Sequence, residues 1–453
     1  MLLMSLSQIA STIDDVIRQT AQPLKDLPAD YAPLIKMVSK KSFVLLGEST
    51  HGTQEFYQAR ADISKRLILD HGLNAIAIEG DWPAAARVNS YVRGQGFDTN
   101  ANQALSDFKR FPLWMWRNTP MSEFVEWLRE HNRLLPVAEQ IGFYGLDMYS
   151  MYESVAMVLQ YLDQRDPRAA QEARVNYGCL EHLGQEQHYG YGVSLGRQKS
   201  CEEEVVQQLM ALREQAFSYT RVAGEQECVQ QAEDEFFEAE QNARLVTAAE
   251  SYYRTMFDDR LNTWNLRDSH MMETLDNLHQ HLSGRLTRPA RIAVWAHNSH
   301  LGDARATDMN LRGEHNLGQL ARARYGNACA IIGFTTYSGT VTAASSWDGL
   351  VERKRMRAAM ADSVEDVFHR TQLKDFFLPL NDRAAQHLRQ SRWQRAIGVI
   401  YLPQHEMASH YLRTRMADQF DAVVHIDETQ AVEPLDPTSE WITGERGTYP
   451  FMV

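Results

Sequence analysis

The chain has 453 residues, 44% hydrophobic and 23% charged, with a formal net charge of −13. Those proportions belong to a folded globular protein with room for one large domain or two. The acidic balance argues against a nucleic-acid surface, which needs a basic patch, and no run approaches the roughly 20 apolar residues that span a bilayer.

The N-terminal Met1-Leu-Leu-Met-Ser-Leu6 has no basic start and soon meets Asp14 and Asp15, so it does not read as a signal peptide. Four cysteines, Cys179, Cys201, Cys228 and Cys329, form no Cys-x-x-Cys pair. They are expected to be free thiols of a reducing compartment, which places the protein in the cytoplasm.

Ile9, Ile13 and Ile17 repeat at spacing four and predict a helix over 6–22, broken by Pro23 and Pro28. A second short helix precedes the first strand. Phe43–Leu46 is a short apolar run, long enough for a buried strand. Gly47-Glu48-Ser49-Thr50-His51-Gly52-Thr53 follows, and then a helical pattern through Phe56, Ala59, Ile63 and Leu67. The run 75–78 likewise ends in Glu79-Gly80-Asp81-Trp82-Pro83, with a helix over 84–92 and Pro83 in its first turn. Trp114, Trp116 and Trp127 come next and are expected to pack in the core. The run 141–144 ends in Gly145-Leu146-Asp147.

From about residue 152 to 282 strand-like runs vanish. Stretches rich in Gln, Glu, Ala and Arg, at 201–218 and 226–256, predict a helical insertion, with a loop at 188–192. Arg267 and Asp268 lie in a helix with apolar neighbours. As adjacent helical residues they do not face each other, and a solvated face is expected for them, with contact to a site edge as the lesser option. The run 291–295 then ends in Ala296-His297-Asn298-Ser299-His300. Further strands are expected at 328–334, 396–401 and 422–426, with helices at 353–362 and 408–419.

Apolar strands alternating with helices predict an α/β fold: a mainly parallel sheet flanked by helices in three layers. The core is expected to comprise 1–151 and 283–453, with 152–282 as a helical insertion capping the carboxyl edge. Four strands end in acids or histidines. In a parallel sheet those ends share one edge, where ligands of open α/β sheets bind.

The loop 47–53 lacks the lysine of a phosphate-binding loop. It is also not a nucleophile elbow, because the second glycine comes three residues after Ser49. Ser49 remains an alternative nucleophile beside the preferred reading, in which His51 activates water as general base. Glu48 or Glu79 would orient the ring, and His297 and His300 would steady the oxyanion. Arg60 would hold a carboxylate or form a plain ion pair. Ser49, Asp81, Trp82 and Asp147 are the candidate substrate contacts. A rival reading makes Glu48, His51, Glu79, His297 and His300 ligands of zinc or manganese; the preferred one needs no cofactor.

Gly47-Glu48-x-x-His51-Gly52, Arg60, Ile78-Glu79-Gly80-Asp81-Trp82-Pro83 and Trp295-Ala296-His297-Asn298-x-His300 resemble the erythromycin esterase family. The likeness extends through 264–268 and into the C-terminal strands. It implies an α/β core with a helical portion and a small-molecule ester or lactone substrate. Some members open a macrolide lactone without a metal through histidine-activated water. By resemblance His51 is the base, and Glu48, Glu79, Arg60, His297 and His300 complete the site. The rivals are a metal-dependent hydrolase with the same residues and a non-catalytic binder of carbohydrate or macrocycle.

Overall fold

The computed structural model describes residues 12–25, 29–180, 186–221, 226–258, 262–286, 288–380 and 382–444. Its strands are β1 (Gln22–Pro23), β2 (Phe43–Leu46), β3 (Ala75–Asp81), β4 (Gly142–Asp147), β5 (Ile292–Trp295), β6 (Cys329–Ala343), β7 (Glu352–Met356), β8 (Phe376–Pro379), β9 (Arg392–Arg395), β10 (Tyr411–Thr414) and β11 (Ala422–Thr429). Nine form one sheet in the order β1-β8-β11-β6-β2-β5-β3-β4, with β7 paired to β6. From β11 through β4 every pairing is parallel; β1, β7 and β8 run antiparallel at the margins.

The central strands are apolar on both faces, as a sheet covered on both sides demands. Phe43, Leu45, Ile292 and Val294 enter one core; Val44, Leu46, Ala293 and Trp295 enter the other. The second core is closed by α1 (Gln54–His71), α2 (Trp82–Val92) and α3 (Thr119–Asn132). Between Met151 and Leu286 the described residues form helices and their connections only, among them α4 (Met151–Arg165), α5 (Gln226–Thr255) and α6 (Thr263–Leu286). Their apolar faces merge with the first face of the sheet into one continuous core. No helix among the described residues is long and apolar enough to cross a membrane.

Several local expectations are corrected. Residues 353–362 begin as strand β7 rather than helix, because Arg353 to Met356 pair with β6. Residues 396–401 make only isolated bridges, to Thr50 and Ala344. Within 408–419 the chain forms strand β10 between two four-residue helices. The expected loop at 188–192 lies in a helix, Glu186–Ser194, where buried Tyr189 donates its hydroxyl to Glu250 at 2.5 Å. Cys179 and Cys201 form a disulfide, which corrects the expectation of four free thiols; the reducing-compartment reading loses that support. Cys329 is free and buried, and the Cys228 side chain and Ile9 lie outside the described residues.

At the edge that carries the site, β3 shifts register against β4 between Ile78 and Asp81. Gly145 makes this possible: a Cβ there would lie 2.4 Å from the Gly80 carbonyl oxygen and 2.6 Å from that of Asp81. Those are backbone atoms of a paired strand and cannot swing aside. Gly145→Ala is therefore expected to cost about 1–3 kcal/mol through overpacking. Denaturant unfolding checks this; an unchanged midpoint would mean that the strand ends relax freely.

Candidate active site

Gly47 ends β2 and leaves space for Asn298, whose Oδ1 would lie only 2.1 Å from a Cβ at that position. Asn298 donates its backbone N–H to the Glu48 carbonyl at 2.8 Å and its side-chain amide to the Phe334 carbonyl at 2.7 Å. The segments that follow β2 and β5 are thereby tied to each other and to the interior of β6. In that frame the fully buried Glu48 takes two partners. Its Oε1 accepts from Nδ1 of His51 at 2.9 Å, and its Oε2 lies 2.7 Å from Nη2 of Arg60. Arg60 comes from the second turn of α1, fully buried, its guanidinium carbon 4.5 Å from the centre of the Tyr57 ring and 5.3 Å from that of Trp295. Burying Glu48 alone would be prohibitive; the arginine makes it tolerable. The histidine partner is thus Glu48 and not Glu79, and with Nδ1–H donated, Nε2 of His51 carries the lone pair.

A second set of groups surrounds Arg267 of α6. Its Nε donates to Asp147 Oδ1 at 3.0 Å, and its Nη2 meets Asp147 Oδ2 at 2.6 Å and Glu79 Oε1 at 2.8 Å. Burial pushes the Glu79 carboxyl up, but His300, Arg267, His51 and the His297 backbone N–H, 2.9 Å from its Oε2, outweigh that and hold it well below the usual range. Burial lowers Arg267, but Asp147, Tyr149 and Glu79 reverse this and raise it well above its ordinary value. The neighbouring Asp268, on another face of α6, accepts from Nδ1 of His300 and from the Leu317 backbone N–H at 2.8 Å.

Two histidines three residues apart are driven in opposite directions. Burial, reinforced by neighbouring His51, lowers His297 to about 3, so it is neutral. Its Nδ1 accepts from the Ser299 N–H at 3.2 Å and lies 2.8 Å from the Ser299 hydroxyl, while its Nε2 is shielded from water. Burial also opposes charge on His300, but Asp268 and Glu79 outweigh it and raise its pKa. Its ring stacks on Trp264 with centroids 4.3 Å apart. Neutral, His300 accepts at Nε2 from Arg267 at 2.9 Å; protonated, it turns that proton toward Glu79 Oε1 at 3.4 Å.

His51, Glu79, Asp81, Asp147, His297 and His300 line one cavity of about 830 Å³. The rings of His51 and His297 lie 4.8 Å apart at its floor. Tyr252, Tyr253 and Met256 of the α5 end, with Trp264 of α6, form part of its wall. Burial and neighbouring acids push Asp81 up to about 7 despite Arg110. Glu48 and Arg60 stand behind His51 rather than at the wall. Two expected substrate contacts are not at the wall either. Ser49 is fully buried with its hydroxyl unpartnered, and Trp82 packs between Tyr144 and Phe237 and donates to Glu238 at 2.8 Å. Trp116 is buried as expected, yet it also lines the cavity and donates to the Glu79 carbonyl at 2.9 Å.

Arg267 and Asp268 correct the expectation of a solvated face: Asp268 is fully buried and the Arg267 side chain is 14% exposed. The signal was present in their apolar neighbours Leu266, Met271 and Met272, since a charged doublet in an apolar stretch of helix needs partners.

The donor groups fit a metal poorly. Both Glu48 oxygens, both Glu79 oxygens, Nδ1 of His300 and Nδ1 of His297 already have protein partners. Among the described residues no group of three or more His, Cys, Asp or Glu is arranged to hold an ion.

A mostly parallel α/β sheet thus gathers histidines and carboxylates at its strand ends around one cavity. The family model for erythromycin esterase matches residues 68–429, and the chain belongs to that family. The match begins after Glu48, His51 and Arg60, and includes Glu79, Arg267, His297 and His300. "Erythromycin esterase type II" from Escherichia coli is 29% identical over 119 residues, a match spanning 26% of each chain. Three solved structures share the fold. A succinoglycan biosynthesis protein has a TM-score of 0.74 at 22% identity, covering 94% of this chain and 98% of its own. A Bacillus cereus protein has 0.75 at 20%, with the same coverage. A mutant of erythromycin esterase EreC in its open conformation has 0.64 at 19%, covering 92% and 99%.

The opposed shifts give stability a defined pH dependence. Glu79, lowered in the fold, contributes above the ordinary carboxylate range and is lost only as pH falls through its depressed value. His300, raised, contributes fully below the ordinary imidazole value and is lost as pH rises through its elevated one. Asp268→Asn removes the first-named charge that holds His300 up while keeping an acceptor for Leu317. The alkaline fall in melting temperature should then begin at lower pH than in the parent. Thermal melts across the neutral and alkaline range check this; superimposable profiles would remove His300 as the titrating group.

Proposed function

We propose that the protein hydrolyses an ester or lactone bond of a small molecule, with His51 activating the attacking water. The observation that carries this is the buried chain Arg60–Glu48–His51 ending at the cavity, with the Glu48 carboxylate accepting from Nδ1 behind the ring and a lone pair left on Nε2. In the forward step water oxygen bonds the acyl carbon while its proton passes to His51 Nε2. The carbonyl electron pair collects on oxygen. When it returns, the C–O bond to the leaving alcohol breaks and His51 gives the proton to that alkoxide. Glu48 fixes the tautomer and stabilises the imidazolium. Neutral His297, whose ring lies beside that of His51 at the cavity, is the proposed donor to the developing oxyanion, a role worth about 3–4 kcal/mol in comparable sites. Arg267, Asp147 and His300 hold Glu79 and the His297 backbone in place.

The family supports an ester-hydrolysing chemistry, and the name of the Escherichia coli relative points to macrolide lactones such as erythromycin as first substrates to try. A cavity of about 830 Å³ with aromatic walls accords with a large, partly apolar acyl compound.

His51→Ala and His51→Asn are each expected to lower turnover by about 10²–10⁴-fold, the contribution of a general base, with melting temperature nearly unchanged because His51 packs at a turn. Ser49→Ala should keep most activity, and a chelator should leave it unaltered. Rates on erythromycin and a panel of esters, with thermal melts as folding control, decide the matter. Near-parental turnover in folded His51→Ala would sink the mechanism.

A further inference from the structure

A second cavity, of about 610 Å³, lies beyond the β4 edge of the sheet, bordered by α2, α4, α5 and α6. It shares no lining residue with the first, and its volume falls within the roughly 300–1,000 Å³ of small-molecule sites. Nothing in the proposed hydrolysis uses it.

Its depth is a built polar network. Asp234 is met by Arg93 at 3.1 Å, by Arg285 at 3.1 Å and by Nε2 of His281 at 2.8 Å, and the His281 ring lies flat on Phe237 with centroids 4.0 Å apart. Burial raises Asp234, but His281 and the two arginines outweigh it and hold it down at about 2. Among the residues lining the space, Nε of Arg93, Nε of Arg285 and Oδ1 of Asn242 have no hydrogen-bond partner and are themselves shielded from water. Such atoms are costly to leave unpartnered.

The lining selects the class of ligand. Arg87, Arg93 and Arg285 are balanced by Asp107, Asp234, Glu235 and Glu238, so the site has no excess positive charge for an anion. Glu238, pushed up to about 7 by burial, is poised to be either donor or acceptor. Amides are the most numerous uncharged polar groups of the lining, with Gln160, Gln164, Gln230 and Gln231 toward the rim and Asn89 and Asn242 buried. Amides offer a donor and an acceptor side by side, and so do hydroxyl groups. Tyr161 adds an aromatic face at the wall for an apolar ring face.

We propose that this cavity is an accessory binding site for a neutral polyhydroxylated ligand, a mono- to trisaccharide in size. It is independent of the hydrolytic reading. The test is isothermal titration of the full chain with glucose, galactose, cellotriose and maltotriose, and with citrate and inorganic phosphate as anionic probes. At least one neutral saccharide is expected to bind saturably at millimolar concentration or below, and neither anion. The rim double substitution Gln160→Leu/Gln164→Leu, at exposed positions where folding is not at stake, and separately Asn242→Leu, should each weaken that binding about tenfold, the equivalent of one good hydrogen bond. His51→Ala should leave it unchanged, which separates it from the first cavity. No saccharide binding, preference for an anion, or binding indifferent to the rim substitutions would each overturn the proposal.

Discussion

Arg267 enters the strand-end edge from α6 and meets Asp147 with two nitrogens and Glu79 with one. Those carboxylates end adjacent strands, β4 and β3, so one guanidinium fixes the spacing of two strands and the seat of a helix. Removing it would leave Asp147 buried without its cation and Glu79 with the histidines alone; breaking a buried pair in this way costs about 3–5 kcal/mol where it has been measured. The consequence reaches further. Glu79 uses its other oxygen to hold the His297 backbone at 2.9 Å, so the orientation of the turn after β5 depends on the same cation.

The two charge groups of the site divide the electrostatic work. Arg60 and Glu48 are fully buried behind His51, which is the member of that chain that lines the cavity. Asp268 and Glu79 favour the charged form of His300 against burial and the nearby Arg267, whereas burial and the facing His51 keep His297 neutral. One turn thus carries one histidine suited to donate a hydrogen bond and another suited to bear charge. Environment, not residue type, sets the roles.

Much of this was legible in the sequence because the signals are local. A buried parallel strand is a short apolar run, and an acid or histidine directly after it must lie at the carboxyl edge. That rule placed Glu48, His51, Glu79, Asp147, His297 and His300 together. It failed where the determinant was distant. Glu352–Met356, rich in charge, looked helical, and is a strand only because β6 offers it an edge. Tyr189 sits in a helix because its hydroxyl meets Glu250 some sixty residues away. Arg267 and Asp268 were masked by their exposed-looking charge, since the carboxylates and the imidazole that receive them come from β3, β4 and the turn after β5. Trp82 failed in the opposite sense: its place after Asp81 suggested the cavity, but the first residue of α2 turns its ring away, into the aromatic packing against Phe237.

The helices between Met151 and Leu286 shape the cavity through the same geometry. The acid–base groups come from short turns locked by strand pairing and by buried ions, which leaves them little freedom to vary. The wall opposite is built by Tyr252, Tyr253 and Met256 at the end of α5 and by Trp264 at the start of α6. These are apolar and aromatic contacts, which tolerate change of size far better than a buried charge tolerates loss of its partner. A chain of this construction can alter the wall of its cavity without disturbing the ion pairs at its strand ends. Arg267 sets the limit to that freedom. It stands one turn of α6 beyond Trp264, so the wall can be remodelled up to that residue, but a shift of the helix itself would pull the guanidinium from Asp147 and Glu79 and release the His297 turn.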